Sequence, residues 1–225
     1  MPAFEGAVSL GYRYVETDVH ACADGTVVAF HDEVLDRVCD RPGRIAEMTW
    51  AEVSQARVGG REPIPRLEEL LSSFPDVRIN IDPKHDAVVG PLCEAIRRCD
   101  AVDRVCIGAF DDARIARVRS ILGPRLSTAL GPRAVVRLLA ASRRLAPARF
   151  AGVAAQVPTH RGRIPLVTRQ FVRGAHRLGL QVHVWTIDDP TEMHRLLDLG
   201  VDGIMTDRCE VLKGVLVERD QWVGA

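Results

Sequence analysis

The chain of 225 residues lacks several features that would place it in a specialised class of protein. No apolar run approaches the ~18 residues that a membrane-spanning helix needs. The formal charge is zero, with 30 basic and 30 acidic residues, which argues against a general nucleic-acid binder. With 47% hydrophobic and 27% charged residues, the composition is that of a globular domain and excludes a disordered or low-complexity protein.

The six cysteines show neither CxxC pairing nor the spacing of a zinc site. We interpret them as reduced, mostly buried thiols of a cytoplasmic protein. No secretory signal opens the sequence, although a segment upstream of Met1 could contain one. Lysine is scarce, since Lys84 and Lys213 are the two exceptions among the 30 basic residues. Where arginine is the usual cation, a lysine supplies a compact point charge that arginine cannot.

Short apolar or β-branched runs alternate with amphipathic segments about every 25 residues, which is typical of βα units in a parallel sheet. The pattern predicts strands over 12–18, 26–30, 77–82, 104–110, 126–130, 150–156, 181–187 and 202–206. It predicts helices over 66–74, 86–98, 111–122, 132–145, 168–178, 190–199 and 210–219. Thr168 and Pro190 lie where N-terminal capping or first helical residues belong.

This pattern amounts to seven βα units and one extra strand. A (β/α)₈ barrel needs roughly 200–250 residues, so the sequence predicts a single TIM-barrel domain over residues 1–225. Residues 2–10 have the pattern of the end of a helix with no strand before it. The predicted barrel therefore lacks its first β-strand.

Polar residues cluster at the ends of the predicted strands, where α/β barrels place their chemistry. Glu16 and Asp18 lie two residues apart on one strand and share a face, and Asp82 ends a later strand. Such a group of carboxylates is a site of hard oxygen donors that suits Mg²⁺ or Ca²⁺ and not zinc. The alternative is that Glu16 or Asp18 pairs with one of the many arginines.

Other strand-end residues also have two interpretations. His31 could be a proton-transfer group or a loop histidine beside a solvated Asp32. Lys84 could bind an anion or form a structural ion pair, and Trp185 could line a binding surface or belong to the core. The motif at 160–162 (His-Arg-Gly) is expected to lie in a polar loop, away from any carboxylate cluster, and to have no catalytic role.

Three motifs together resemble the glycerophosphodiester phosphodiesterase family: YVETDVH at 14–20, ADGTVV at 23–28 and FHD at 30–32. IDPK at 81–84, VWTI at 184–187 and GIMTD at 203–207 agree with the same family. The resemblance covers essentially the whole chain. It implies a TIM barrel that hydrolyses glycerophosphodiesters to an alcohol and glycerol 3-phosphate with the help of one divalent cation, Mg²⁺ or Ca²⁺.

The resemblance also assigns roles to individual residues. It implies metal ligands at Glu16, Asp18 and Asp82, one of two acid/base groups at His31, a phosphate or metal contact at Lys84, and a glycerol-site aromatic at Trp185. Asp82 is a departure, because the family usually has glutamate there. Aspartate remains an oxygen ligand, and the flexible coordination of Ca²⁺ tolerates a shorter side chain better than that of Mg²⁺.

A second departure concerns the first strand. The family carries a His-Arg-Gly motif on that strand, and this sequence begins at Met1, within the helix that would follow it. Either the natural chain starts upstream, which we favour, or the barrel is open and exposes strand edges that would form a homodimer. Two functions follow. The chain is a metal-dependent phosphodiesterase, or it is a non-catalytic, decayed barrel that binds a phosphodiester or metabolite.

Overall fold

Strands and helices alternate along the chain as the sequence pattern predicts. The computed structural model describes residues 1–143 and 148–224. These residues group into two units, the first comprising Met1–Ala109 with Ala113–Ser127 and the second Phe110–Asp112 with Thr128–Ala225. The prediction of a single domain over the whole chain stays a prediction.

Strands occupy all eight predicted positions, most of them over fewer residues than predicted, and four further strands of two residues each were not predicted. In chain order they are β1 (Tyr14–Ala21), β2 (Val27–Ala29), β3 (Arg57–Val58), β4 (Glu62–Pro63), β5 (Arg78–Pro83), β6 (Val105–Ile107), β7 (Ser127–Thr128), β8 (Ala154–Pro158), β9 (His160–Arg161), β10 (Ile164–Pro165), β11 (Gln181–Trp185) and β12 (Gly203–Ile204).

The α-helices are α1 (Pro2–Ser9), α2 (Trp50–Val53), α3 (Leu67–Ser73), α4 (Val89–Arg98), α5 (Asp112–Leu122), α6 (Pro132–Ser142), α7 (Arg169–Arg177), α8 (Pro190–Leu199) and α9 (Cys209–Glu218). No helix in the described part of the chain has both the length and the apolar character that a membrane span requires.

The first unit is built on β1 and β5, which run parallel in register. Ile79 and Ile81 are buried on one face of β5, so the alternation of a strand places Asn80 and Asp82 on the other face. In this register Asp18 lies opposite Asp82. The buried face packs on an apolar core contributed largely by α3 and α4.

The second unit is built on β11, which lies between β8 and β12 and is parallel to both. Val182 and Val184 are buried on one face of β11, and Phe171 of α7 is among the largest fully buried side chains. His183 projects from the opposite face. Its paired positions are Gln156 on β8 and Gly203 on β12.

Helix ends follow the capping residues read from the sequence. The Thr168 side chain accepts a hydrogen bond from the backbone of α7, and Pro190 begins α8 after the N-cap Asp189. Gly200 ends α8 with a φ of 89°, a conformation that favours glycine. The helix predicted over 132–145 ends at Ser142, and residues 144–145 lie outside the described part of the chain.

Two details differ from the expectations. The motif at 160–162 does not lie in an open loop, because β9 pairs with β10 in an exposed two-stranded hairpin. The apolar pattern does not predict the short helix α2, although Thr49 and Glu52 form a capping box, which is typical of the start of a helix. Four residues are too few for a periodic apolar pattern to appear.

Candidate active site

Two carboxylates converge on one ammonium group at the end of the β1–β5 pair. The Lys84 Nζ lies 2.5 Å from Oδ1 of Asp18 and 3.1 Å from Oδ2 of Asp82. The parallel register brings Asp18 and Asp82 side by side, and Lys84 follows Asp82 on the same face two residues later. Both carboxylates are 13% exposed, so the group is largely sheltered from water.

Burial and charge change the pKa values of Asp82 and Lys84. Burial raises the pKa of Asp82, and the ammonium of Lys84 only partly offsets that rise. Burial works against the charged form of Lys84, but its hydrogen bond to Asp18 and the charge of Asp82 outweigh burial and raise its pKa. Two carboxylates facing one ammonium leave a net negative charge, which attracts a further cation.

A second group of polar side chains fixes the imidazole of His31. The Nδ1 atom of His31 lies 2.6 Å from Oδ1 of Asp32, and Arg37 donates to both oxygens of that carboxylate. The Arg37 guanidinium, followed by the His31 ring, holds the pKa of Asp32 well below its usual range. The other ring nitrogen, Nε2, lies 4.0 Å from Oδ2 of Asp18.

These residues border a cavity of about 410 Å³, lined by His20, His31, Asp32, Glu33 and Lys84. The side chain of His31 is 73% exposed to solvent. The cavity is therefore open to solvent, and both an imidazole and an ammonium group line it.

Two residues that the sequence analysis did not single out lie in or beside this lining: Glu33 lines the cavity, and His85 contacts Glu33. Glu33 pairs with Arg44 at 2.7 Å and with Nε2 of His85 at 3.2 Å. The ring of His85 lies 5.5 Å from the ring of the buried His20. Burial lowers the pKa of His20 and so favours its neutral form. His85 follows Lys84 directly after a strand end, and that position was the signal that could have identified it.

The donors fit a hard divalent cation in type and partly in placement. Asp18 and Asp82 supply carboxylate oxygens on either side of a point that the ammonium of Lys84 occupies, so the site already accommodates positive charge. Glu16 shares the face of Asp18 but is exposed. Among residues 1–143 and 148–224, no three His, Cys, Asp or Glu side chains form a group that could hold a metal ion.

Trp185 belongs to the second unit, where it ends β11. Its ring meets that of Phe110 edge-on, with 5.6 Å between the centroids. Phe110 is 68% exposed. The pair therefore presents aromatic surface instead of filling the core, and the predicted role of Trp185 in binding substrate stays a prediction.

Comparison with known proteins identifies the family. A family model described as the glycerophosphoryl diester phosphodiesterase family matches residues 1–211. A "Probable glycerophosphodiester phosphodiesterase 2" of Mycobacterium tuberculosis is 41% identical over 230 residues, covering 100% of this chain and 87% of that relative. A glycerophosphodiester phosphodiesterase of Caldanaerobacter subterraneus is 28% identical, covering 93% of this chain and 88% of that relative.

A solved structure agrees with the fold. An Oleispira antarctica phosphodiesterase, solved in complex with the product sn-glycerol-3-phosphate, matches 96% of this chain and 90% of its own with a TM-score of 0.78 at 19% identity. The family and its solved structures have the α/β TIM-barrel fold, which confirms the predicted fold class. The chain belongs to the glycerophosphoryl diester phosphodiesterase family and is an enzyme of that class.

Proposed function

We propose that the chain hydrolyses glycerophosphodiesters to an alcohol and glycerol 3-phosphate, with His31 as an acid/base group and a divalent cation held by Asp18 and Asp82. The observation that carries this proposal is that both carboxylates meet Lys84 while Nε2 of His31 lies 4.0 Å from Asp18. The glycerol 3-phosphate in the Oleispira antarctica relative supports the choice of product.

His31 is arranged for proton transfer. Asp32 lies 2.6 Å from Nδ1 and accepts its hydrogen, so Nε2 is the nitrogen that exchanges a proton with the reacting oxygens. Arg37 keeps Asp32 anionic and in place. A positioned imidazole accelerates such a proton transfer by about 10²–10⁴-fold.

Lys84 binds the phosphate, since its ammonium is the positive charge that borders the cavity beside His31. A bound Mg²⁺ or Ca²⁺ would neutralise charge on the phosphoryl oxygens and orient the glycerol hydroxyl. Asp18 and Asp82 would hold that cation, and Glu16 is proposed as the third ligand. Aspartate at position 82 favours Ca²⁺, whose coordination tolerates a shorter ligand.

Trp185 is proposed to line the glycerol site, and its replacement by alanine should raise KM.

Two further proposals concern the chain as a whole. The protein acts in the cytoplasm, which cell fractionation tests. An open barrel would expose strand edges that could form a homodimer, which sedimentation at several protein concentrations tests.

The experiment measures glycerol 3-phosphate released from glycerophosphocholine with Mg²⁺, with Ca²⁺ and with chelator. We expect metal-dependent release that His31→Ala lowers by about 100-fold or more. His160→Ala is the matched control, because His160 lies in the exposed β9–β10 hairpin and should leave release unchanged. Full activity of His31→Ala would refute its assigned role.

The same samples separate the enzyme from the non-catalytic alternative. A cation that binds the native state must raise the melting temperature. A rise without any release would favour a barrel that binds a phosphodiester but does not cleave it. Release that persists unchanged in chelator would contradict the metal site at Asp18 and Asp82.

A further inference from the structure

A second cavity lies outside the residues assigned to the reaction. It has a volume of about 420 Å³ and is lined by Ser142, Arg143, Arg169, Gln170, Arg173 and Arg177. The lining comes from the end of α6 and from the length of α7. Four guanidinium groups therefore border one concave space in the second unit.

The arginines of α7 are arranged on one face. Arg169, Arg173 and Arg177 follow one another at a spacing of four residues, which places them on adjacent turns. Like charges at this spacing destabilise an isolated helix. An anion bound between them would remove that cost.

No carboxylate offsets these charges in the described part of the chain. The ion pairs of the second unit use Arg195, Arg219 and two histidines, and none of those described involves a cavity arginine. The sequence shows why. Residues 113–187 contain 14 arginines and no aspartate or glutamate, so all 30 acidic residues of this neutral chain lie elsewhere. Such charge asymmetry is typical of a surface that binds an anionic partner.

Close helix packing gives the cavity a firm wall. A Cβ atom on Gly174 of α7 would collide with Ser142 at the end of α6, so glycine is what allows the two helices to touch. Arg177 donates a hydrogen bond to the Ser142 carbonyl at 3.3 Å, which ties its guanidinium to that contact. The floor of the cavity is thus the contact between two packed helices, and the four arginine side chains around it are exposed to solvent.

We propose that this cavity binds a phosphate group that carries two negative charges, supplied by a soluble phosphate ester or by an anionic lipid head group. Planar guanidinium forks match the oxygens of phosphate in pairs, which ammonium groups cannot do. A concave site with four such forks suits a compact phosphate group better than an extended polyanion. The cavity has no lining residue in common with the proposed active site, and this proposal does not depend on the roles of Asp18, Lys84 and His31.

The test is calorimetric titration of the full chain with inorganic phosphate at constant ionic strength. We expect Arg169→Gln/Arg173→Gln to bind phosphate about tenfold more weakly. The matched control is Arg161→Gln/Arg163→Gln, which removes the same charge from the exposed hairpin outside the cavity. Phosphate that binds near Lys84 contributes equally to all three proteins, and all three should hydrolyse glycerophosphocholine alike.

Charge and geometry are separated by Arg169→Lys/Arg173→Lys, which keeps the charge and loses the forks. We expect its affinity to fall between those of the parent and the glutamine variant. Equal losses in the cavity variant and in the hairpin control would show a diffuse charge effect and would overturn the proposal. Phosphate binding that is unchanged in the cavity variant, together with no loss of vesicle binding in that variant, would also overturn the proposal.

Sedimentation with vesicles identifies the source of the phosphate. Phosphatidic acid has a phosphate monoester that can carry two negative charges. Binding to phosphatidylcholine vesicles that contain phosphatidic acid, but not to phosphatidylcholine alone, and loss of that binding in the cavity variant would assign a lipid head group. Phosphate binding without vesicle binding would assign a soluble ester. If the protein bound neither inorganic phosphate nor the vesicles, the site would be refuted.

Discussion

Arg37 binds both carboxylate oxygens of Asp32, with Nε 2.6 Å from Oδ2 and Nη2 2.9 Å from Oδ1. The same carboxylate lies 2.6 Å from Nδ1 of His31. A planar fork fixes both the position and the plane of the group it holds. Arg37 is therefore a positioning residue for His31 and acts on it through Asp32.

Replacing Arg37 by glutamine should lower kcat by about 10- to 100-fold, because Asp32 would no longer hold the His31 ring in one orientation. KM should change little, since Arg37 is not proposed to touch substrate. Arg37→Lys should recover only part of kcat, because lysine restores the charge without the fork. Steady-state kinetics with glycerophosphocholine measure both constants.

The control for that prediction is Arg125→Gln, which removes an exposed arginine paired with Asp103 in the same unit. It should leave kcat and KM unchanged. A loss of kcat in Arg125→Gln as large as in Arg37→Gln would mean that general charge, and not the orientation of His31, is responsible.

Lys84→Met should destabilise the protein in chelator by about 2 kcal/mol, because two sheltered carboxylates lose the ammonium between them. Mg²⁺ or Ca²⁺ should then raise the melting temperature of this variant more than that of the wild type, since a cation takes over the same neutralising role. Scanning calorimetry with chelator and with each metal measures both effects.

A smaller metal-induced shift is expected when Asp82→Asn is added to Lys84→Met, because one of the two carboxylates is gone. If the metal-induced shifts of the wild type and of both variants were equal, the cation would bind elsewhere on the chain.

The free energy of unfolding should fall as the pH falls below about 6.5, in part because of His183. Burial lowers the pKa of His183 in the folded chain. The unfolded chain therefore takes up this proton first as the pH falls, and protonation favours unfolding. Denaturant unfolding between about pH 7.5 and pH 5.5 measures the slope, which should be shallower in His183→Gln by at most about 1.4 kcal/mol per pH unit.

The exposed His160 provides the control for this titration. His160→Gln should keep the slope of the wild type. A wild-type slope in His183→Gln would show that His183 does not contribute to it.

Gly203→Ala should destabilise the second unit by about 1–3 kcal/mol. A Cβ atom at this position would lie 2.9 Å from Cδ2 of His183, and that ring contacts Gln156 and Gln181. Gly214→Ala is the matched change, because nothing lies within 4 Å of the added atom in α9. It should stabilise the protein by up to about 1 kcal/mol. Thermal unfolding should rank the two variants on opposite sides of the wild type, and the same sign for both would contradict the packing argument.

The sequence was sufficient to predict much of the candidate site. Asp18 and Asp82 end apolar runs, and a strand repeats every two residues, so their faces follow from counting. The parallel pairing of β1 with β5 then brings their ends together, which accounts for Lys84 as well. His31 reaches the same place from β2, which is antiparallel to β1. Each of these inferences needs only a strand and its direction.

The supporting side chains could not be predicted, because they depend on how loops fold back. Arg37 lies five residues after Asp32 with no periodic element between them, and Arg44 reaches Glu33 across 11 positions. No repeat distance relates such pairs. The hairpin β9–β10 could not be predicted either, because strands of two residues are too short to show an alternating apolar pattern.

The proposed site at Asp18 and Asp82 forms only when β1 and β5 are correctly aligned. Asp18 and Asp82 come from segments 64 positions apart and meet only in the observed register. A slip by one residue would turn one carboxylate to the opposite face. A cation or substrate that needs both groups therefore stabilises only chains in which the two strands are correctly aligned. Ligand present during refolding should reduce the fraction of misaligned sheets and raise the yield of active protein.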